Sequence, residues 1–239
     1  MIRVLIAGAH QGTLAAGGAA HHYLVHVHRV REGATLEVFD GAGRAFPARV
    51  EAVGELEVKL ELSTPREAPK VRPVTVLQGR PKADKLELVV QKASELWATR
   101  VQPVFCERSV VKPSDSDEKK LARWQKIADE AARQCGRSEV LQVGAPVKLG
   151  VALKAEGAAL LVLDEAEAAV TLSQAVRALA PDAPLGLVVG PEGGLTDTER
   201  ALLQRHGAKP VTLGRLVLRT ETAALAALSV VRHLDGLLG

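Results

Sequence analysis

Between residues 23 and 62, apolar and polar residues alternate in short runs. The runs are YLVHVHRV (23–30), ATLEVFD (34–40), RAFPARVEAV (44–53) and LEVKLEL (56–62). Because successive side chains of a strand point to opposite faces, this period of two predicts strands with one buried face. Glycines at positions 33, 41, 43 and 54 separate the runs and predict turns. Short strands joined by such turns are typical of a small antiparallel barrel or sandwich.

From residue 74 onwards, apolar runs alternate with segments of helical spacing. The apolar runs are 74–78, 101–106, 158–164, 185–190 and 210–214, and the helical segments are 84–97, 118–135, 172–180, 197–206 and 221–234. This alternation predicts an α/β fold with a mostly parallel sheet. The proline-rich stretch STPREAPKVRP between the two patterns indicates a linker. We therefore expect a small β domain of residues 1–70 and an α/β domain of residues 71–239.

The composition narrows the class of protein. Apolar residues make up 47% and charged residues 25%, which is typical of a globular chain, and no apolar stretch reaches transmembrane length. The start MIRVLIAGAH lacks the build of a signal peptide, and Cys106 and Cys135 have neither disulfide-framework nor zinc spacing. These features predict a cytoplasmic location. The net charge is only +3, but residues 79–137 hold 13 basic against 9 acidic residues, which permits either a local basic surface or a solvated helix face.

The stretch VVGPEGGLTDTE (188–199) joins an apolar strand to a helix. Thr196 and Glu199 have the spacing of a capping box, which predicts that the helix begins near Asp197. The GPEGG loop then lies at the carboxyl end of a strand, where α/β sheets bind their ligands. It matches no phosphate-binding motif, Pro191 has no N–H group and Glu192 would repel an anion. A neutral or cationic ligand fits this loop better, and a purely structural turn is the alternative.

A second unusual stretch is LGRLVLRTETAALAAL (213–228). Thr220 or Thr222 can cap the helix that begins here, and Glu221 is favourable near its positive end. Arg219 opposes the helix dipole at the same place, so a contact with an anion would explain it better. The helix is apolar nearly all round, which predicts burial on more than one side, either inside the monomer or in a dimer.

Several other polar residues have a candidate role in the fold or in binding. Asp84 can cap the helix of residues 84–97, whose apolar face is Leu86, Val89, Val90, Ala93 and Trp97. Arg80, Arg108 and Arg137 stand where elements end, which suits either solvated loops or contacts with nucleic-acid phosphates. Five histidines lie between residues 10 and 28, and alternating surface histidines on a strand explain them better than a metal site.

The combination of GPEGG, LGRLVLRTETA and KADKLELVVQKASELW closely resembles the bacterial small-subunit ribosomal RNA (uracil-N3)-methyltransferases, the RsmE family of the SPOUT class. The resemblance extends over almost the whole chain. It implies a PUA-like RNA-binding β-barrel followed by a trefoil-knotted SPOUT domain, and a homodimer in the cytoplasm. His28 and Arg133 depart from the family pattern, where leucine and glutamate are usual, and neither lies in the cofactor loops.

The resemblance also implies a cofactor and a set of site residues. The methyl donor would be S-adenosylmethionine (SAM), the product N3-methyluridine and the partner small-subunit ribosomal RNA. The implied cofactor-binding residues are Leu163, Gly190, Glu192, Gly193, Leu213, Gly214 and Leu218. Arg219 and Glu221 are the candidate catalytic residues, Glu107 is an alternative proton acceptor, and Arg29, Arg80, Arg108 and Arg137 are the candidate RNA ligands. No metal is expected. The cationic sulfonium of SAM accounts for a glutamate in a loop that would reject phosphate.

Three other functions remain open from the sequence. A ribosome assembly factor could bind RNA and the cofactor without turnover, and a SPOUT relative could methylate ribose oxygen instead of a base. A nucleotide-dependent α/β enzyme is disfavoured because the chain has no phosphate-binding loop.

Overall fold

The computed structural model describes residues 1–82, 84–114, 117–155, 157–164, 166 and 169–239. These residues form two compact units. The first contains Met1–Lys70 and Asp129–Val140, and the second contains Val71–Ala128 and Leu141–Gly239. Residues 129–140, which the sequence pattern assigned to the second domain, thus pack with the first. The predicted domain bounds, 1–70 and 71–239, stay a prediction.

The first unit is built on a six-stranded sheet. Its strands are β1 (Arg3–Leu5), β2 (Gly12–Gly17), β3 (Thr35–Phe39), β4 (Arg44–Val53), β5 (Glu57–Leu62) and β6 (Arg66–Glu67). The order is β1-β3-β4-β5-β2, with β6 paired to β4, and every pair is antiparallel except β1 with β3. The predicted small β domain is confirmed, and its sheet is a curled half-barrel with β1 and β2 at opposite edges.

Strand β5 illustrates why the alternating pattern folds in this way. Val58, Leu60 and Leu62 are at most 2% exposed, whereas the charged residues between them face the solvent. Burial of each such side chain stabilises the fold by about 1.5–3 kcal/mol. The hydrophobic core therefore lies on the concave side that these positions share with the other strands.

The expectation of a strand at residues 23–30 is wrong. Residues Gly18–His22 form helix α1, and Tyr23–Val27 continue it as one π-helical turn. Ala20, Tyr23 and Leu24 all pack on the core, and their spacing of three and four residues is that of a helix face. Three of the five histidines consequently lie on a helix: the rings of His22 and His26 are in contact, with centroids 5.0 Å apart, and His21 is buried with Nε2 3.0 Å from the Gly54 carbonyl.

Arg3 ties the segment 129–140 to the sheet of the first unit. Its Nε donates to Glu37 at 2.6 Å, and its Nη1 donates to the carbonyls of Ala132, Arg133 and Arg137 at 3.0–3.2 Å. A helix leaves its last carbonyls without partners, and a cation is favourable at that end. Next to it, the Val140 amide donates to the Gly41 carbonyl at 2.9 Å.

The second unit contains eight strands and six helices among the described residues. The strands are β7 (Val74–Gly79), β8 (Arg100–Phe105), β9 (Gln142–Val143), β10 (Val147–Lys148), β11 (Ala159–Leu163), β12 (Val170–Thr171), β13 (Leu185–Val189) and β14 (Lys209–Thr212). The helices are α2 (Lys85–Glu95), α3 (Asp117–Cys135), α4 (Leu149–Ala155), α5 (Leu172–Arg177), α6 (Asp197–Arg205) and α7 (Thr220–Leu234), and the last residues of α3 belong to the first unit.

All strand pairs of this second sheet are parallel. The order is β10-β8-β7-β13-β11-β14-β12, with β9 also paired to β8. Helices α2, α3, α5 and α7 share one core with one face of the sheet, and α4 and α6 share another core with the opposite face. The predicted parallel α/β sheet is therefore confirmed, although α4 was not expected. The predicted knot of the chain stays a prediction.

Three helix starts were predicted from capping residues, and two of them, those of α6 and α2, lie at the expected positions. The box of Thr196 and Glu199 is confirmed, because the Thr196 side chain accepts from the Glu199 amide and the Glu199 side chain accepts from the Thr196 amide. Asp84 occupies the first capping position of α2, but its side chain makes no capping hydrogen bond. Within the described residues, none of the helices combines the length and apolar character needed to cross a membrane.

Candidate functional site

A cavity of about 500 Å³ opens at the carboxyl ends of the central strands of the second unit. Three segments surround it: the end of β11, the GPEGG loop after β13, and residues 211–220 after β14. Parallel strands bring their carboxyl ends to the same edge of a sheet, where α/β proteins bind ligands. The apolar part of the wall is formed by Leu163, Val189, Val211, Leu213, Leu216, Val217 and Leu218, and the charged part by Lys85, Asp164, Glu192, Arg200 and Arg219.

The cavity brings together most of the residues expected to hold the cofactor. Leu163, Gly190, Glu192, Leu213 and Leu218 line it. The candidate catalytic residue Arg219 lines it as well. Three others are not among the residues that line it: Gly193 and Gly214 belong to the lining loops, and Glu221 is buried in the first turn of α7.

The GPEGG loop is fixed by two close approaches of the backbone. A Cβ atom on Gly79, the last residue of β7, would lie 2.4 Å from the Pro191 nitrogen, so only glycine allows this contact. A Cβ on Gly193 would lie 2.9 Å from Cβ of Arg108, and Arg108 Nη1 donates to the Gly193 carbonyl at 3.2 Å. Gly194 has a φ of +71°, which closes the turn with a hydrogen bond from its amide to the Pro191 carbonyl. The loop is therefore preformed.

Thr220 connects this loop to helix α7 and to strand β7. Its hydroxyl donates to the Gly190 carbonyl at 2.6 Å and accepts from Nε2 of Gln78 at 2.7 Å. The capping residue of α7 is Arg219, and no side chain caps this helix, so the expected capping role of Thr220 or Thr222 is wrong. The Thr220 hydroxyl instead fixes the position of the loop.

We expect Thr220→Val to destabilise the second unit by about 2 kcal/mol, because the change leaves the half-buried Gly190 carbonyl and the buried Gln78 amide without this partner. Denaturant unfolding of the purified protein measures the effect. Thr222→Val is the matched control, since Thr222 lies exposed in the same helical turn. Equal stability of the two variants would show that the Thr220 bridge contributes little.

Lys85 lies between two carboxylates at the edge of the cavity. Its Nζ is 3.3 Å from Oε1 of Glu192 and 3.3 Å from Oε1 of Glu221. Burial acts to raise the pKa of Glu192, but the backbone amides of Lys82 and Glu192 and the Lys85 ammonium outweigh it and lower the pKa of this carboxyl. Glu192 is thus a fixed anion at neutral pH.

The second carboxylate in the cavity wall, Asp164, is also ion-paired. Nε of Arg200 donates to its Oδ2 at 2.6 Å, and Nη1 of Arg200 contacts Asp197 at 3.1 Å. Two of the cations in the wall, Lys85 and Arg200, are therefore neutralised by carboxylates. Arg219 is exposed at the start of α7, beside Leu216 and Val217, which are 80% and 78% exposed. Arg219 is thus the described cation of the wall best placed to meet an anion.

The four candidate RNA ligands fall into two groups. Arg80 is 4% exposed, bonds Asp117 at 3.2 Å and stacks on Trp124, so its environment is that of a structural arginine, which argues against an RNA contact. Arg137 is 5% exposed and lies 3.8 Å from Glu139, which argues the same way. Arg29 and Arg108 are exposed, and Arg29 has an unusual φ of +52°.

Sequence reasoning missed Lys85 and Gln78 as parts of the site. Lys85 carried a signal, because a cation in the first turn of a helix opposes the dipole just as Arg219 does. Gln78 carried none, since its role depends on a contact with Thr220, 142 residues later. Among the described residues, no group of three or more His, Cys, Asp or Glu side chains is arranged to hold a metal ion.

Comparison with known proteins identifies the family of this chain. The model of the RNA methyltransferase domain matches residues 67–232, and that of the RNA methyltransferase PUA domain matches residues 17–63. Ribosomal RNA small subunit methyltransferase E of Synechocystis sp. is 34% identical, over 94% of this chain and 74% of that protein. The Bacillus subtilis protein of the same name is 33% identical, over 95% of this chain and 92% of its own length.

Solved structures agree with the sequence matches. Ribosomal RNA small subunit methyltransferase E from Neisseria gonorrhoeae, bound to S-adenosyl methionine, superposes with a TM-score of 0.86 at 29% identity and covers 98% of both chains. A Legionella pneumophila protein in complex with the bound cofactor SAM also has a TM-score of 0.86, at 31% identity over 98% of this chain and 97% of that one. On the domain models, the relatives and the shared fold together, this chain belongs to the ribosomal RNA small subunit methyltransferase E (RsmE) family.

Proposed function

We propose that this chain transfers a methyl group from SAM to ring nitrogen N3 of a uridine in small-subunit ribosomal RNA. The observation that carries the proposal is the cavity at the strand ends, which combines apolar walls with the fixed carboxylate of Glu192. Membership of the methyltransferase family and the SAM-bound relatives from N. gonorrhoeae and L. pneumophila support it.

The residues of the cavity fit SAM. Its volume of about 500 Å³ lies in the usual range for a small-molecule site. Leu163, Leu213 and Leu218 provide apolar surface on which an adenine ring can lie, and Glu192 provides negative charge for a cationic ligand. SAM when bound supplies an electrophilic methyl group on a positively charged sulfur.

The chain's contribution to the reaction is orientation and charge. The N3 lone pair forms the new bond to the methyl carbon, the carbon–sulfur bond breaks with its electron pair going to sulfur, and the N3 proton is released to water. Correct alignment of the two reactants can supply about 7–11 kcal/mol of the acceleration. Arg219 is placed to stabilise the negative charge that develops on a uracil oxygen as the proton leaves. The uridine must be unpaired, because N3 is occupied in a base pair.

A covalent route through a cysteine is disfavoured. Burial raises the pKa of the Cys106 thiol to about 12, and the carboxylates of Glu199 and Glu107 add to the effect. A thiol with this pKa is protonated at neutral pH and is a poor nucleophile. Cys135 is exposed and belongs to the first unit. Direct transfer to nitrogen needs no such nucleophile.

The proposal extends to partners. Arg29 and Arg108 are exposed and can contact RNA phosphates. Helix α7 keeps Leu225, Ala226 and Val230 only half-buried, and this apolar surface supports the proposed homodimer. We propose that the substrate is the assembled small subunit and that the protein acts in the cytoplasm.

The test is incubation of the purified protein with methyl-labelled SAM and small ribosomal subunits from cells that lack the modification. We expect label in N3-methyluridine after nucleoside analysis. Arg219→Ala is expected to slow the reaction by about tenfold, which excludes a contaminating enzyme as the source of the activity. Label in a 2′-O-methylated nucleoside would instead identify a ribose methyltransferase. Binding of SAM without any label would identify an assembly factor.

A further inference from the structure

The carboxylate of Glu221 was expected to act on the substrate, but its surroundings do not suit that role. Glu221 is 9% exposed and does not line the cavity. One of its oxygens, Oε1, lies 3.3 Å from Nζ of Lys85, and the other, Oε2, is buried and has no hydrogen-bond partner among the described residues. A proton acceptor must come within hydrogen-bond reach of the atom that loses the proton. Glu221 therefore contacts the site through Lys85.

Lys85 is the residue that both carboxylates share. It stands in the first turn of α2, Glu192 lies in the loop after β13, and Glu221 lies in the first turn of α7. The Lys85 side chain is 31% exposed and lines the cavity, so the ammonium group stands at the wall and not behind it. One cation thus joins three segments that are distant in the chain. Without it, the two carboxylates would repel each other across the same space.

We propose that Lys85 is a positioning residue that sets the affinity for SAM, and that Glu221 acts through it. Glu221 holds the Lys85 ammonium, and the ammonium holds Glu192 of the loop with its negative charge at the cavity wall. The inference rests on the proposed function for the identity of the ligand. It assigns Glu221 to cofactor binding instead of proton transfer.

The pairing also balances charge. A cationic ligand beside an isolated lysine would be repelled, but Lys85 between two carboxylates belongs to a group with a net charge of −1. That net charge favours a sulfonium over a neutral thioether, which is the form of the cofactor after it has lost its methyl group. The same three residues therefore favour the substrate over the product.

The experiment measures the Kd of SAM and of S-adenosylhomocysteine by titration calorimetry on the full-length protein. We expect Lys85→Met to weaken SAM binding by about tenfold, a usual coupling between charged neighbours, and to reduce kcat/KM mainly through KM, because the displacement of Glu192 outweighs the added attraction of a cation to the two remaining carboxylates. Lys85→Arg retains the cation and should restore most of the affinity. The double variant Lys85→Met/Glu221→Gln should bind SAM better than Lys85→Met alone, because it removes the unpaired buried charge.

Lys92→Met is the matched control. Lys92 lies on the same helix, pairs with Glu95 at 2.8 Å and is 40% exposed, so its loss tests the helix without touching the cavity. Unchanged SAM affinity in Lys85→Met would overturn the inference, as would a Glu221→Gln variant that loses kcat by a hundredfold with unchanged Kd. Absence of methyl transfer by the wild type, with SAM bound, would count against the proposed function and leave the binding comparison intact.

Discussion

A Gly79→Ala variant is expected to lose methyl transfer by at least about a hundredfold, because one added methyl group forces the GPEGG loop out of position. The new Cβ would lie 2.4 Å from the nitrogen of Pro191 and 2.6 Å from the carbonyl carbon of Gly190. Both are backbone atoms, so no side chain can rotate away to make room. The loop must move, and the Gly190 carbonyl that accepts from Thr220 moves with it.

Initial rates of methyl transfer and the Kd of SAM measure this effect, and a thermal melt separates it from unfolding. Gly157→Ala is the control, since a Cβ at Gly157 meets none of the described atoms within 4 Å and its φ is not in the left-handed region. A Gly79→Ala variant with wild-type Kd and rate would mean that the loop accommodates the methyl group without loss. In that case the site is less preformed than the backbone contacts indicate.

An Arg232→Met variant is expected to lose about 3–5 kcal/mol of stability. Arg232 in α7 is 1% exposed. Its Nη1 donates at 2.9 Å to the Arg72 carbonyl and to Asp235, its Nε donates to Leu96, and its Nη2 donates to Trp97. Methionine fills a similar volume but supplies no donor, so buried carbonyls and a carboxylate are left with fewer partners.

Denaturant unfolding followed by circular dichroism measures this loss. Arg177→Met is the control, because Arg177 is exposed at the end of α5 and should change stability by no more than about 0.5 kcal/mol. If both variants unfold at the same denaturant concentration, the hydrogen bonds of Arg232 are replaced by water at little cost. The prediction would then be wrong.

Local sequence patterns predicted the strands and helices of the α/β unit well, because the apolar runs and capping residues that indicate each element lie within or beside it. The apolar run LGLVV is strand β13, and the box of Thr196 and Glu199 starts α6 where expected. The strand that we predicted for residues 23–30 was wrong because the local pattern there is weak. Its alternation is too short to exclude a helix, and packing of Tyr23 and Leu24 on the core decided the conformation.

Contacts between distant residues could not be predicted in this way. Lys85 contacts Glu192 although the two lie 107 residues apart in the chain. No local sequence feature of either residue identifies the other as its partner. Arg80 looked like a surface cation because the sequence did not reveal that Asp117 and Trp124 would enclose it. The resemblance to the family predicts which loops bind the cofactor, and this assignment stays a prediction, whereas the individual roles of residues in these loops depend on geometry.

The division of helix α3 has a consequence for how the protein is made. The first unit needs residues 129–140, since their carbonyls receive Arg3 and Ala132 packs beside Phe39. During synthesis the strands of the half-barrel leave the ribosome first. Residues 129–140, which complete the first unit, follow only after β7, α2 and β8 have emerged. A fragment that ends at residue 70 would expose Phe39 and would remove the three carbonyls of residues 129–140 that accept hydrogen bonds from Arg3. The two units therefore cannot mature strictly one after the other, and their folding is interleaved along the chain.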